Sequence, residues 1–346
     1  MKNTLLGPVF LLLVFAFSQL SLVAQQNTVN PKPTGKLVDI GGYSLHIDAT
    51  GKAKPPVVLI NGAGDFSFDW ALVQSEISGF TSCVSYDTSG LAWSDLGPTP
   101  RTMKQEAYEL HLLLQKARIK GTYVLVGHSV GGLIARIYAA MYPKEVVGIV
   151  LVDSTTEDTT LSYQGKLVRV RDAAKSRIIP GVQTFAGSPP KPPTKSDLEQ
   201  VEFNKQLFGE PKINPPFDKL PLNIQALRLW TLRNPKLSAQ TDNFWAEELQ
   251  AMHESRAKTP NQLGSIPLIV LIGGKSGGVP QGVTDEQWKQ LFEEKIRQKR
   301  ELANLSKNSR LVIADKSGHH IQLDQPELVV NAIRQVVESV RNGTDL

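Results

Sequence analysis

Gly127-His128-Ser129-Val130-Gly131-Gly132 stands directly after the apolar run Tyr123-Val124-Leu125-Val126 and directly before a helical pattern. A serine in that setting sits on a turn from strand to helix. The turn is so tight that the residues two before and two after the serine must be small. The serine itself is forced into a strained backbone conformation that lifts its hydroxyl above the end of the sheet. The helix that starts there aims its unpaired N–H groups and the positive end of its dipole at the same spot. The rest of the chain can then be read for the sheet that such a turn needs.

That sheet is visible as short, nearly continuous apolar runs: Val57–Ile60, Cys83–Tyr86, Tyr123–Val126, Val147–Val152, Leu268–Ile272 and Leu311–Ala314. Runs of this length, rich in Val and Ile, suit strands buried on both faces of a parallel sheet. Before them, Lys36 to Asp48 alternates apolar and polar residues around Gly41-Gly42, a hairpin signal. Helical spacing fills most of the intervals: Thr102 to Arg118, Leu133 to Met141, Thr284 to Leu305 and Pro326 to Val340. Strands alternating with helices build βαβ units, so the fold class is α/β with a mostly parallel central sheet.

The alternation breaks between about Thr156 and Leu263, where no buried strand is evident and nine of the 22 prolines fall between Pro180 and Pro221. Helical segments are expected near Ser196–Leu207 and Ser238–Ala257. The core is therefore assigned to residues 36–155 and 264–346, with residues 156–263 as an inserted helical lid.

At the N-terminus, Lys2 precedes an uncharged apolar stretch from Leu5 to Phe17, followed by Leu22-Val23-Ala24-Gln25-Gln26. This reads as a secretory signal peptide over residues 1–24, with residues 25–35 as a linker. A secreted or periplasmic protein follows, with no stable membrane insertion once the signal is removed. The apolar core is short for a membrane span, and a retained anchor is the alternative. The single cysteine, Cys83, has no intramolecular partner and lies in an apolar run, where it acts as a small buried hydrophobe. A net charge of +5 spread over 346 residues, with no basic run interleaved with aromatics, argues against a nucleic-acid partner. No Cys/His cluster has metal-ligand spacing, and no metal or other cofactor is expected.

The chain resembles the α/β-hydrolase superfamily in its lid-bearing serine-hydrolase form, from about Lys36 to the C-terminal helix. The resemblance implies a catalytic triad with Ser129 as nucleophile. Gly318-His319-His320 after the last strand looks like the family's histidine loop, and the first histidine, His319, matches the general base. The imidazole takes the serine proton and later passes it to the leaving group. Many relatives carry the acid after the penultimate strand, but here that position reads Gly273-Gly274-Lys275-Ser276-Gly277, with no carboxylate. The other known location is the end of the preceding strand, Val150-Leu151-Val152-Asp153, which makes Asp153 the expected acid; Asp285 and Glu157 are the alternatives. Asn61-Gly62-Ala63-Gly64 stands where many relatives have His-Gly. The backbone N–H groups of Ala63 and Val130 are the expected oxyanion hole. Asp87 is expected to be structural, the role of Asp65 is open, and His128 is expected to pack beside the turn.

Trp230, Phe244 and Trp245 are candidates for an apolar substrate pocket under the lid. Glu247, Glu248 and His253 are expected on a solvated helix face. The partner implied is a small-molecule acyl substrate, with a carboxylic ester as the default. An amide hydrolase resembling prolyl aminopeptidases and a non-catalytic ligand-binding protein on the same scaffold are the alternatives. The sequence is silent on oligomeric state.

Overall fold

The computed structural model describes residues 30–163, 166–175, 177–184, 199, 210–234, 244–279 and 282–346. The expected signal peptide and most of the expected linker lie outside them. The chain divides into two units, Met1–Lys32 and Pro33–Leu346. The second unit carries all the elements that follow.

In chain order these are β1 (Lys36–Asp39), β2 (Ser44–Thr50), β3 (Val57–Ile60), α1 (Ala71–Ser78), β4 (Cys83–Tyr86), α2 (Met103–Lys116), β5 (Tyr123–His128), α3 (Val130–Met141) and β6 (Val146–Val152). After them come β7 (Thr160–Tyr163), β8 (Lys166–Arg169), α4 (Leu222–Leu232), α5 (Trp245–Lys258), β9 (Leu268–Gly273), α6 (Asp285–Arg300), β10 (Ser309–Ala314), α7 (Ile321–Asp324) and α8 (Pro326–Asn342).

Eight strands form one sheet in the order β1-β2-β4-β3-β5-β6-β9-β10. The β1–β2 hairpin turns at Gly41-Gly42, as its alternation predicts, and β2 joins β4 antiparallel. From β4 onward every pairing is parallel. The strands β3, β4, β5 and β9 are buried at every position. Leu311–Ala314 departs from the expectation of burial on both faces. It belongs to β10, which closes the sheet as an edge and is half-buried along most of its length.

Alternation along each strand divides the core in two. Val58, Ile60, Leu125, Ile149, Leu151, Val270 and Ile272 face the side that holds α2 and α3. Their neighbours Val57, Leu59, Val124, Val126, Val150, Val152, Ile269 and Leu271 face the side of α1 and α8. With period 2 in the strands, each sheet face is continuously apolar. Fully burying one such side chain contributes about 1.5–3 kcal/mol. The expected single helix from Thr284 to Leu305 is α6 followed by a short 3₁₀ segment, Glu301–Leu305.

Within the insertion, residues 196–207 lie outside the described residues except Glu199. The second expected helix is α5. Sequence reasoning missed α4 and the hairpin β7–β8, which forms a two-stranded sheet of its own. The insertion is bound to the core by apolar packing, with Leu249 buried in the α2–α3 side of the core, and by charge. Glu248 of α5 accepts from the backbone N–H groups of Met103 and Lys104 at 2.9 and 3.0 Å, capping α2 beside its N-cap Thr102. Glu247 pairs with Arg177 at 2.7 Å. Both carboxylates are buried, which corrects the expected solvated face. Unsatisfied N–H groups at a helix start favour a carboxylate. His253, on the same helix, lies 3.4 Å from Asp158 at the margin.

Candidate active site

Ser129 closes β5 and caps α3 with φ 53° and ψ −122°, the strained conformation the motif requires. The glycines around it are forced by contact. A Cβ at Gly127 would lie 2.4 Å from the Gly131 carbonyl oxygen, and one at Gly131 would lie 2.4 Å from that of Ile60. The turn is sewn to the end of β6: Ser129 N–H donates to Val152 and its carbonyl accepts from Thr155 N–H at 3.0 Å. Thr155 also meets the nucleophile candidate directly, with its Oγ1 3.3 Å from Ser129 Oγ.

Asp153 follows β6 in a second left-handed conformation, φ 42°. One carboxylate oxygen accepts from Gly273 N–H at 2.8 Å, and the other lies 2.6 Å from His319 Nδ1. The same oxygen is 2.6 Å from Lys299 Nζ, reaching in from α6. Burial works to raise the Asp153 pKa, but Lys299 and the bond to His319 outweigh it and hold the carboxyl well below the ordinary range. Asp285 begins α6 at the surface, and Glu157 is buried in a two-pronged pair with Arg136 at 2.7 and 3.0 Å. Of the three expected candidates for the acid, the fold brings Asp153 to the imidazole.

His319 is displaced downward from its usual 6.5 to about 4, first by desolvation, against the upward pull of Asp153; the charges of His128 and Lys299 add to the lowering. Some 47% of its side chain is open to solvent, and that water moderates the desolvation. With Asp153 on Nδ1, the other nitrogen is available as an acceptor in the neutral form. Among the described residues no hydrogen bond joins Ser129 Oγ to this ring; the hydroxyl rests on Thr155 instead. Both residues nevertheless line one cavity of 330 Å³. Unliganded sites often hold such pairs apart until substrate enters.

A second cavity of 170 Å³ meets the first at Ser129. Ala63, Val130, Met103, Leu133, Trp245 and Leu249 line it. Val130 is the first residue of α3, where a backbone N–H has no carbonyl one turn back. Trp245 therefore reaches the site. Trp230 packs against Trp93 with ring centroids 5.6 Å apart, and the Arg177 guanidinium lies over Phe244, 4.1 Å from the ring centroid; neither aromatic lines either of these two cavities.

Two residues around Ser129 acquire roles the sequence did not disclose. Asn61, in place of histidine, braces its loop by donating to the Tyr86 carbonyl at 2.8 Å and accepting from Trp70 Nε1 at 2.9 Å. His128 is buried, with Nδ1 2.8 Å from Asp65 and Nε2 3.0 Å from the His319 backbone carbonyl. Its ring is thus held between a carboxylate on one side and a backbone carbonyl on the other. Asp87, as expected, is structural: it holds His46 and Ser67 N–H at 2.8 Å each.

Asp65, His128 and His320 bring ligand-type atoms within 4.8 Å of one another. Asp65 is instead engaged by His128 at 2.8 Å and lies 3.7 Å from His320, and Arg228 lies 3.9 Å from it, adding positive charge where a cation would sit. Arg228 comes from α4, pairs with Asp69 and stacks on Phe217 at 3.4 Å, while Phe217 packs edge-on to His320 at 4.7 Å. Insertion and histidine loop are thus joined through one guanidinium and one aromatic ring. Asp324 and Gln325 fold that loop as well: Asp324 accepts from Gly318 N–H at 2.9 Å and Gln325 from Ser317 Oγ at 2.9 Å.

Comparison with known proteins agrees with the fold. The family described as the alpha/beta hydrolase family matches residues 57–332. A superfamily member from Gibberella zeae is 27% identical, over 83% of this chain and 88% of its own length. A probable transporter of Hormonema carpetanum is 28% identical over 87% of this chain, which spans 42% of that protein's length. Among solved structures, an N-acyl homoserine lactone degrading enzyme superposes with a TM-score of 0.54 at 17% identity, covering 87% of this chain and 99% of its own.

Proposed function

The chain belongs to the alpha/beta hydrolase family, and from that premise we propose that it is a serine hydrolase acting on carboxylic esters through an acyl-enzyme. One observation carries the reading. A strained serine at a helix start and an Asp153-held imidazole face a common cavity.

In this mechanism Ser129 Oγ attacks the ester carbonyl carbon while His319 takes the hydroxyl proton. The carbonyl oxygen becomes an oxyanion held by the N–H groups of Ala63 and Val130. The C–O bond to the alcohol then breaks, and His319 gives its proton to the departing oxygen. Water attacks the acyl carbon while losing a proton to His319, and as the C–O bond to Ser129 breaks, His319 returns that proton to the serine oxygen and the acid leaves. Asp153 fixes the tautomer and stabilises the imidazolium. In this mechanism Ser129 Oγ must first leave Thr155 for the imidazole.

The peptidase alternative needs lid carboxylates for a free amine. Glu247 and Glu248 are instead engaged by Arg177 and the start of α2. Export through a cleaved segment near Ala24 belongs to the same proposal, and N-terminal sequencing of the mature protein tests it. The activity is tested by labelling with a fluorophosphonate and mapping the adduct. Modification at Ser129, lost in His319→Ala, is expected; an unmodified, well-folded protein would turn the reading toward a binding protein.

A further inference from the structure

The two cavities that meet at Ser129 differ in charge, and their positions relative to the catalytic groups differ too. The smaller one holds Ala63 and Val130 and is otherwise largely apolar. The larger one holds His319. In acyl transfer the general acid must reach the departing oxygen, so the leaving group lies on the His319 side. The acyl chain then falls to the smaller cavity, whose 170 Å³ suits a short chain.

The wall of the larger cavity is cationic. Trp288, Phe292, Lys295 and Lys299 recur along α6 at helical spacing and present one face to it, and Lys275 joins from the loop after β9. Asp153 is the single carboxylate among the described lining residues. It is already shared by His319 and Lys299. Neither Lys275 nor Lys295 forms a salt bridge among the described residues. Lys295 lies 5.2 Å from the Trp288 ring centroid, part-buried beside it. Burial and then Lys299 lower its pKa, against the opposing pull of Asp153. The indole Nε1 of Trp288 is buried without a hydrogen-bond partner among the described residues, an orphan donor on the same wall.

Resting on the serine-hydrolase reading, we propose that the larger cavity binds an alcohol leaving group carrying an anion, a carboxylate in the simplest case, held by Lys295 with Lys275 at the rim. The preferred substrate is then a short, uncharged acyl chain esterified to a hydroxy acid.

Two matched esters test this: 4-acetoxybenzoate and 4-acetoxybenzamide, each rate normalised to its own hydroxide-catalysed hydrolysis. The full-length protein is expected to favour the benzoate in kcat/KM by about tenfold or more, with the preference narrowing as salt rises. Lys295→Met is expected to cut the benzoate rate about tenfold more than the benzamide rate. A ratio near one in the parent protein, or one untouched by Lys295→Met, overturns the proposal. Binding separates this failure from failure of the hydrolase reading. Calorimetric titration of Ser129→Ala with 4-hydroxybenzoate and 4-hydroxybenzamide needs no turnover. Tighter, Lys295-dependent binding of the benzoate, in a protein that no fluorophosphonate labels, would leave the anion site standing without the chemistry. Equal binding of the two would remove the site whatever the labelling shows.

Discussion

His128 Nε2 lies 3.0 Å from the backbone carbonyl of His319, with Asp65 2.8 Å from its other nitrogen. The residue inside the serine turn thereby holds the loop that carries the proposed base, His319. It acts through that loop as a positioning residue, and its charge lowers the pKa of His319. In His128→Gln both donor hydrogens sit on one nitrogen, so the amide does not reproduce the ring's two opposed contacts, and it carries no charge. We expect kcat to fall about tenfold to a hundredfold with KM little changed, on the scale of a lost supporting hydrogen bond to a catalytic group. The acid limb of the pH profile should also move upward, because a neighbouring cation has gone. A drop in kcat with an unmoved limb would leave only a packing role.

For the parent protein, the sign of the pH dependence follows from the His319 imidazole. Its folded-state pKa is displaced below 6.5 toward about 4, so it remains a neutral base in mild acid. Asp153 stays ionised throughout that range. Activity should therefore hold down to below pH 6.5 and fall as the imidazole gains its proton. The solvent-open part of the ring sets the midpoint between the two values. A kcat/KM profile from pH 4 to 9 measures it, and a limb above pH 7 would contradict the assignment.

Asp153→Asn keeps the shape of the side chain while removing the charge that orients the imidazole. The rate should fall about 10³–10⁴-fold, as for a triad left with the wrong tautomer. Asp285→Asn, at the exposed start of α6, should leave it within about twofold. Circular dichroism of both proteins checks the fold. The reverse pattern would transfer the acid to Asp285.

Arg228 neutralises the buried Asp69 and stacks on Phe217. Burial pushes Asp69 up to about 7 even with Arg228 pulling it down. Arg228→Met leaves that carboxylate unpaired, at a cost of about 3–5 kcal/mol while it is ionised. A folded-state pKa above the unfolded one means that stability is lost as pH rises through it. Urea unfolding should therefore show a larger loss at pH 8.5 than at pH 5.5, and Asp69→Asn in the same protein should recover part of it. Equal losses at the two pH values would place Asp69 outside the effect.

Where a feature is written in consecutive residues, the sequence discloses it. The serine turn, Gly318-His319 and the strand ending Val152-Asp153 each depend on neighbours within a few positions, and each could be read directly. Lys299 carries no such mark. It is one of several basic residues on a charged helix, and only the packing of α6 across the end of β6 brings it to Asp153. Glu248 was misread for the same reason, since its partners at the start of α2 are far away in the chain. The β7–β8 hairpin did leave a trace in the alternation Thr160-Leu161-Ser162-Tyr163, which four residues were too few to make decisive.

Ser129 and Asp153 both hold left-handed backbone conformations that glycine adopts without strain. Each costs about 1–3 kcal/mol that the surrounding packing must offset. Replacement of either by glycine would relax the backbone while abolishing the chemistry assigned to it. At Asp153 the loss of its bonds to Lys299, His319 and Gly273 would offset that relief, but a lineage released from selection for turnover would gain stability by drifting to glycine at Ser129, so that serine there in its descendants would itself be a record of continued use.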